Sequence, residues 1–170
     1  MGKILAHAGM QAGKQVSWLP SYGPEMRGGT ANCTVVISDE PVGSPVVARP
    51  CVMLAMNLPS LDKFEAQVKR GGILIINTSL INRQPTRDDV LVVEVPANDI
   101  AIALASPRSA NIVALGTYLG VTGVLQLAAV AQIVRETFTS KHKAVELNLA
   151  ALEQGYAVGS KAKQHAETEA

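Results

Sequence analysis

The sequence predicts an α/β domain: a three-layer sandwich in which a largely parallel sheet is covered by helices on both faces. Three observations carry that expectation. Of the 170 residues 48% are hydrophobic and only 4% aromatic, so the apolar content is aliphatic, as in an α/β domain rather than a β-sandwich. The strand-like stretches at 52–56 and 73–76 carry no charge along their length, as strands buried on both faces do. They also alternate with helical patterns, which calls for crossover connections and parallel pairing. The length suits one domain able to bury a core without staples.

The elements follow in order. Residues 2–12 read as an amphipathic helix with Ile4, Leu5, Ala8 and Ala12 on one face, stopped at Gly13. A short strand at 16–19 and a longer one at 31–38 come next, and Asp39-Glu40-Pro41-Val42-Gly43 turns the chain. The strand at 52–56 leads through Asn57 into a helix over 59–68 whose Pro59 suits a first turn. Gly71-Gly72 opens the strand at 73–76, and a polar crossover over 78–89 leads to the last strand, 90–95. A helix from Pro96 to Leu104 precedes three more, at 109–119, 125–138 and 141–156, the last with Val145, Leu149, Leu152 and Tyr156 at helical spacing. The domain is thus expected over 1–158, with a frayed polar tail over 159–170. The chain opens directly on a helix where a doubly wound sheet starts with a strand and a glycine-rich turn. The expectation is that the first strand is missing.

The segment most suggestive of function is Ser21-Tyr22-Gly23-Pro24-Glu25-Met26-Arg27-Gly28-Gly29-Thr30. It spends ten residues where a structural connector needs about four. Glycine lets another group approach backbone amides, and Arg27 offers a planar donor fork suited to carboxylate or phosphate. Arg27 reads equally as a ligand contact or as an ion-pair partner of Glu25. Glu25 itself, with no histidine nearby, reads as a structural or interface hydrogen-bond acceptor before an acid or base. Tyr22 reads as an interface or core aromatic, with ligand contact the alternative. Gly23, Gly28 and Gly29 satisfy backbone geometry under either reading. Asn57 stands at the carboxyl end of a strand, where open α/β sheets hold ligands, but it equally suits capping the following helix.

Other features exclude functions. A net charge of +1 without a basic cluster argues against nucleic acid. Cys33 and Cys51 cannot ligate an iron–sulfur cluster by themselves, so metal chemistry must lie elsewhere. Both thiols are expected as small buried hydrophobes. His7, His142 and His165 lack acid partners in a motif, and Arg83, Arg87 and Lys69-Arg70 read as solvated surface. There is no paired-carboxylate motif and no nucleophile elbow. No signal peptide is legible, so a reducing, cytoplasmic location is expected.

Residues 109–134 contain no charge, and Gly116 and Gly120 have the spacing of a membrane helix-packing motif. Asn111, Thr117, Tyr118, Thr122, Gln126 and Gln132 interrupt the run, and Thr122-Gly123 marks a break between two helices. The expected meaning is a helix pair buried on all sides with no membrane insertion. In so small a chain that burial calls for a partner subunit, hence self-association when isolated.

The motif Ser21-Tyr22-Gly23-Pro24-Glu25-Met26-Arg27-Gly28-Gly29-Thr30-Ala31-Asn32-Cys33 resembles the γ subunit of 2-oxoacid:ferredoxin (acceptor) oxidoreductases. Support comes from Ile37-Ser38-Asp39-Glu40-Pro41 with Gly43-Ser44-Pro45, from Ala55-Met56-Asn57 with Pro59-Ser60-Leu61, and from Asn111-Ile112-Val113-Ala114-Leu115-Gly116. The likeness runs from Gly2 to about Tyr156, without the Gly-Gln-Gly turn that opens relatives. It implies a non-catalytic subunit of an enzyme that oxidatively decarboxylates a 2-oxoacid to acyl-CoA and passes electrons to ferredoxin or a similar acceptor, overall likeness favouring 2-oxoglutarate. It implies α, β and δ partners, with thiamine diphosphate, magnesium and iron–sulfur clusters held by other subunits and no cofactor by this chain alone. Coenzyme A is the co-substrate whose access the γ subunit serves. The resemblance makes Ser21, Tyr22, Gly23, Glu25, Arg27, Gly28, Gly29 and Asn57 the candidate coenzyme A or interface residues. A free-standing coenzyme A or nucleotide-binding module and a purely structural assembly subunit are the alternative readings.

Overall fold

The structure is a computed structural model describing residues 1–21, 31–139 and 142–168. Its parallel sheet is formed by β3 (Val52–Ala55), β4 (Ile73–Asn77) and β5 (Leu91–Val95), in that spatial order. Leu54 pairs with Ile75, and Ile75 with Val93, so the three strands lie in simple register. This is the parallel sheet expected from the charge-free strands. The two earlier strands, β1 (Gln15–Ser21) and β2 (Asn32–Ser38), form an antiparallel sheet of their own, registered from Gln15 opposite Ser38 to Ser21 opposite Asn32. The hairpin is too thin to stand alone in water. Its Val16, Trp18, Val35 and Ile37 line the face that meets α1 (Gly2–Gln11), where Gly2 and Gly9 let the helix approach.

Side chains alternate across the parallel sheet, and each face has its own core. Ile75, Val93 and Val95 point into a cluster with Ile4, Leu5, Ile112, Val113, Leu115, Leu119 and Leu152. This face carries α3 (Ala97–Ala103), α4 (Ala110–Thr122), α5 (Leu127–Thr137) and α6 (His142–Thr168), with α1 packed on α5. On the other face Ala55, Leu74 and Ile76 meet Leu61, Val68 and Ile81, supplied by α2 (Leu58–Phe64), the 3₁₀ turn Glu65–Gln67 behind it and the crossover chain.

The helix ends obey local chemistry. Asn57 caps α2, its Oδ1 accepting from the Ser60 amide at 3.0 Å, with proline in the first turn. α1 closes as a Schellman turn, the Lys14 amide donating to the Gly9 carbonyl and Gly13 at φ +74°. α4 stops at Gly123, φ +65°. α3 ends in the same Schellman geometry, Ser106 N–H to Ala101 O at 2.9 Å, but Ala105 occupies the left-handed position at φ +54°. An L side chain there costs about 1 kcal/mol.

α4 and α6 pack backbone to backbone. A Cβ on Gly116 would collide with the Leu152 carbonyl and stand 2.8 Å from the Tyr156 nitrogen, and one on Gly155 would stand 2.8 Å from the Val113 carbonyl carbon. Gly120 meets Tyr156 and Ser160 in the same way, and Gly159 meets Thr117 and Val121. Residue numbers rise together on the two helices, so they run in the same direction. The scattered polar groups are absorbed internally: Thr117 and Thr122 hydroxyls donate to the carbonyls of Val113 and Tyr118, four residues back. Ser109 Oγ donates to Asn148 Oδ1 at 2.9 Å. The uncharged helix α4 is therefore covered by its own chain, chiefly by α6, so its burial does not by itself call for a partner subunit. Among the described residues no helix is long and apolar enough to cross a membrane. The chain past Gly159 is likewise no frayed tail, because α6 continues to Thr168 with Gly159 buried and Ala162 against the core.

Two arginines expected as solvated charges tie the crossover to α2. The Arg83 guanidinium donates to Glu65 Oε1 at 2.9 Å and to Asp62. Arg87 donates to the carbonyls of Glu65 and Val68, at 3.2 and 3.1 Å, and to Asp89. Glu65 is buried and also accepts from the amide and hydroxyl of Thr86, at 3.3 and 3.2 Å. Burial alone would raise its pKa, but the hydrogen bonds from Arg83 and Thr86 and the Arg83 charge outweigh it and hold the carboxyl below its ordinary value. Both thiols, expected inside, are exposed: Cys33 lies opposite Pro20 near the start of β2 and Cys51 just before β3. Lys69 and Arg70 are exposed, as expected, and His7 is exposed on α1.

Three outcomes follow from this packing. Gly155→Ala should cost about 3 kcal/mol in urea unfolding, the upper end for overpacking because backbone is the obstacle, whereas Gly43→Ala, with nothing within 4 Å of the new methyl, should change stability by less than about 0.5 kcal/mol. Ala105→Gly should raise stability by roughly 0.5–1 kcal/mol by relieving the left-handed alanine. Glu65 stabilises the fold above the unfolded carboxyl pKa and loses that contribution as pH falls through its depressed folded value. Urea midpoints measured from pH 7 down to 3 should therefore fall less steeply for Glu65→Gln than for the parent chain; parallel curves would refute the ion-pair account.

Candidate functional site

The carboxyl ends of β3, β4 and β5 define the edge at which an open parallel sheet presents ligands. Asn77, the last residue of β4, organises it. Its Nδ2 donates to the Met56 carbonyl at 3.1 Å and to Asn98 Oδ1 at 2.8 Å, while its Oδ1 accepts from the Ala97 amide at 3.0 Å. One buried carboxamide thus joins the ends of β3 and β4 to the first turn of α3, with both donors and its oxygen engaged. Ser79 Oγ donates to Asp99 Oδ2 at 3.0 Å and accepts from the Asp99 amide at 3.2 Å, pinning the chain that leaves β4 to the same turn.

Asn57 stands beside this edge, two residues beyond β3, and its oxygen is committed to the α2 cap. Ser21 lies in the other sheet, exposed at the end of β1 opposite Asn32. Among the described residues no hydrogen bond joins Ser21 to Asn57. Tyr22, Gly23, Glu25, Arg27, Gly28 and Gly29 lie outside the described residues. What the fold does show is their anchorage: β1 and β2 deliver both ends of that segment to one end of the hairpin, beside the N-terminus of α1. There Lys3 Nζ lies 5.9 Å over the Trp18 ring, whose buried indole N–H has no acceptor among the described residues.

Sequence reasoning missed Asn77 and Asn98. The available signal was a single amide ending the apolar run Ile73-Leu74-Ile75-Ile76, where a strand that simply stopped would expose its polar end to water. Among the described residues no three His, Cys, Asp or Glu side chains gather into a metal-binding group. The two exposed thiols fall short of the four an iron–sulfur cluster takes. These residues do not fit a resident cluster, and the carboxyl edge holds amides, a hydroxyl and one carboxylate. Such groups hydrogen-bond and position.

Residues 1–158 match the family described as pyruvate ferredoxin/flavodoxin oxidoreductase. The ketoisovalerate oxidoreductase subunit VorA of Methanothermobacter marburgensis is 43% identical over 157 residues, 91% of this chain but 32% of that protein. The chain thus spans about a third of that relative's length. The 2-oxoglutarate synthase subunit KorC of Methanocaldococcus jannaschii is 31% identical over 160 residues, covering 92% of this chain and 84% of its own. Among solved structures, the γ subunit of a keto/oxoacid ferredoxin oxidoreductase from Geobacter sulfurreducens superposes with a TM-score of 0.76 at 32% identity, over 94% of this chain and 89% of that one. A 2-oxoglutarate:ferredoxin oxidoreductase from Magnetococcus marinus shares the fold at a TM-score of 0.81 and 20% identity, over 94% of this chain and 28% of that one. With residues 1–158 matched and the fold shared with a γ subunit at 32% identity, the chain belongs to the pyruvate ferredoxin/flavodoxin oxidoreductase family.

Proposed function

We propose that the chain is the γ-type subunit of a multi-subunit 2-oxoacid:ferredoxin oxidoreductase, working in the cytoplasm and inactive alone. The observation that carries this is the way its relatives are built. The same domain makes up 84% of KorC and 89% of the Geobacter γ subunit, yet only 32% of VorA and 28% of the Magnetococcus chain. A unit that occurs both nearly by itself and as a third of a longer polypeptide works against the rest of that polypeptide. In this reading α, β and δ partners supply thiamine diphosphate, magnesium and the iron–sulfur clusters, and ferredoxin or a similar acceptor takes the electrons.

The loop from Ser21 to Thr30 then forms one wall of a site that other subunits complete. Arg27 pairs with a coenzyme A phosphate or a partner carboxylate, for which its two-pronged donor geometry is suited. Tyr22 and Glu25 contact the partner, and Gly23, Gly28 and Gly29 let the backbone come close. Asn57 adds to the same wall while capping α2. For the substrate, the relatives carry names for ketoisovalerate, 2-oxoglutarate and pyruvate. Identity of 43% with VorA against 31% with KorC weighs toward a branched-chain 2-oxoacid rather than the 2-oxoglutarate that overall likeness favoured.

Co-expression with α, β and δ subunits from the same organism should yield a complex that reduces ferredoxin with a 2-oxoacid and coenzyme A, and comparing the three oxoacids identifies the substrate. A well-folded chain that never co-purifies with thiamine-binding subunits would sink the proposal. Arg27→Ala should leave the isolated chain folded but weaken assembly or raise the apparent KM for coenzyme A about tenfold, as expected for loss of a charge-assisted hydrogen bond of ~1.5 kcal/mol; if neither moves, the loop is structural. Asn57→Asp retains a good cap, whereas Asn57→Ala should cost about 1 kcal/mol of stability. A role beyond capping predicts that the aspartate variant is as stable as the parent yet has a raised KM for coenzyme A or weaker assembly.

A further inference from the structure

We draw no further inference here: the strongest candidate, the outer edge of β3, where half-buried Val52, Met53 and Leu54 have no described strand beyond them, carries nothing because nothing in the structure shows what covers it.

Discussion

The contact between α4 and α6 is the constraint on which the remaining architecture rests. Gly116 and Gly120 on one helix and Gly155 and Gly159 on the other remove the side chains that would hold the backbones apart. The axes can then approach more closely than the usual 8–10 Å of helix pairs. Close approach multiplies dispersion contacts and brings Cα–H groups against carbonyl oxygens, each contact weak and the sum considerable. It also leaves Val113, Leu115 and Leu119 free to face the sheet and its neighbours instead of filling a gap between helices. Because α4 and α6 run in the same direction, the chain must travel back between them. α5 makes that return, and through it α1 and the hairpin are attached to the core.

The two faces of the sheet are secured by different physics. On the helical face, geometry does the selecting: backbones fit only where glycines stand. On the other face, α2 is a helix of only 7 residues and a polar crossover covers what it does not. Ile81 supplies the apolar anchor, and Glu65, Arg83 and Arg87 tie the crossover down by hydrogen bonds that satisfy a buried carboxylate, the carbonyls of Glu65 and Ala66 in the 3₁₀ turn and that of Val68 just past it. A carboxylate placed there without its donors would be expensive to bury, so the crossover and the turn hold their shape together.

These anchors converge on the carboxyl edge. Asn77 joins two strand ends and a helix start, Ser79 and Asp99 add a second link, and Asn57 fixes the start of α2. An edge so stitched offers a rigid polar surface whose amides, hydroxyl and carboxylate already hydrogen-bond to one another and to the backbone. The hairpin packs on α1, so its strand ends Ser21 and Asn32 are held by the helical layer as well as by their own pairing.

Local chemistry made much of the fold legible. Uncharged apolar stretches marked β3 and β4, Asn57 with Pro59 marked the start of α2, and Gly13 and Gly123 marked helix ends, because each depends on a few neighbouring residues and on the backbone angles they allow. The loop motif likewise named the family by residues alone. Tertiary structure decided what depends on distant partners. Whether β1 and β2 join the parallel sheet, whether α4 is sheathed by its own chain or another, and whether Arg83 is solvated or paired are settled by elements tens of residues away in sequence. Gly116 and Gly120 could serve a membrane helix or a soluble one; only Gly155 and Gly159, brought alongside by the return of α5, determine that they serve α6. Asn77 was unreadable for the same reason, since a carboxamide becomes a keystone only when Met56, Ala97 and Asn98 are folded to within hydrogen-bonding distance of it.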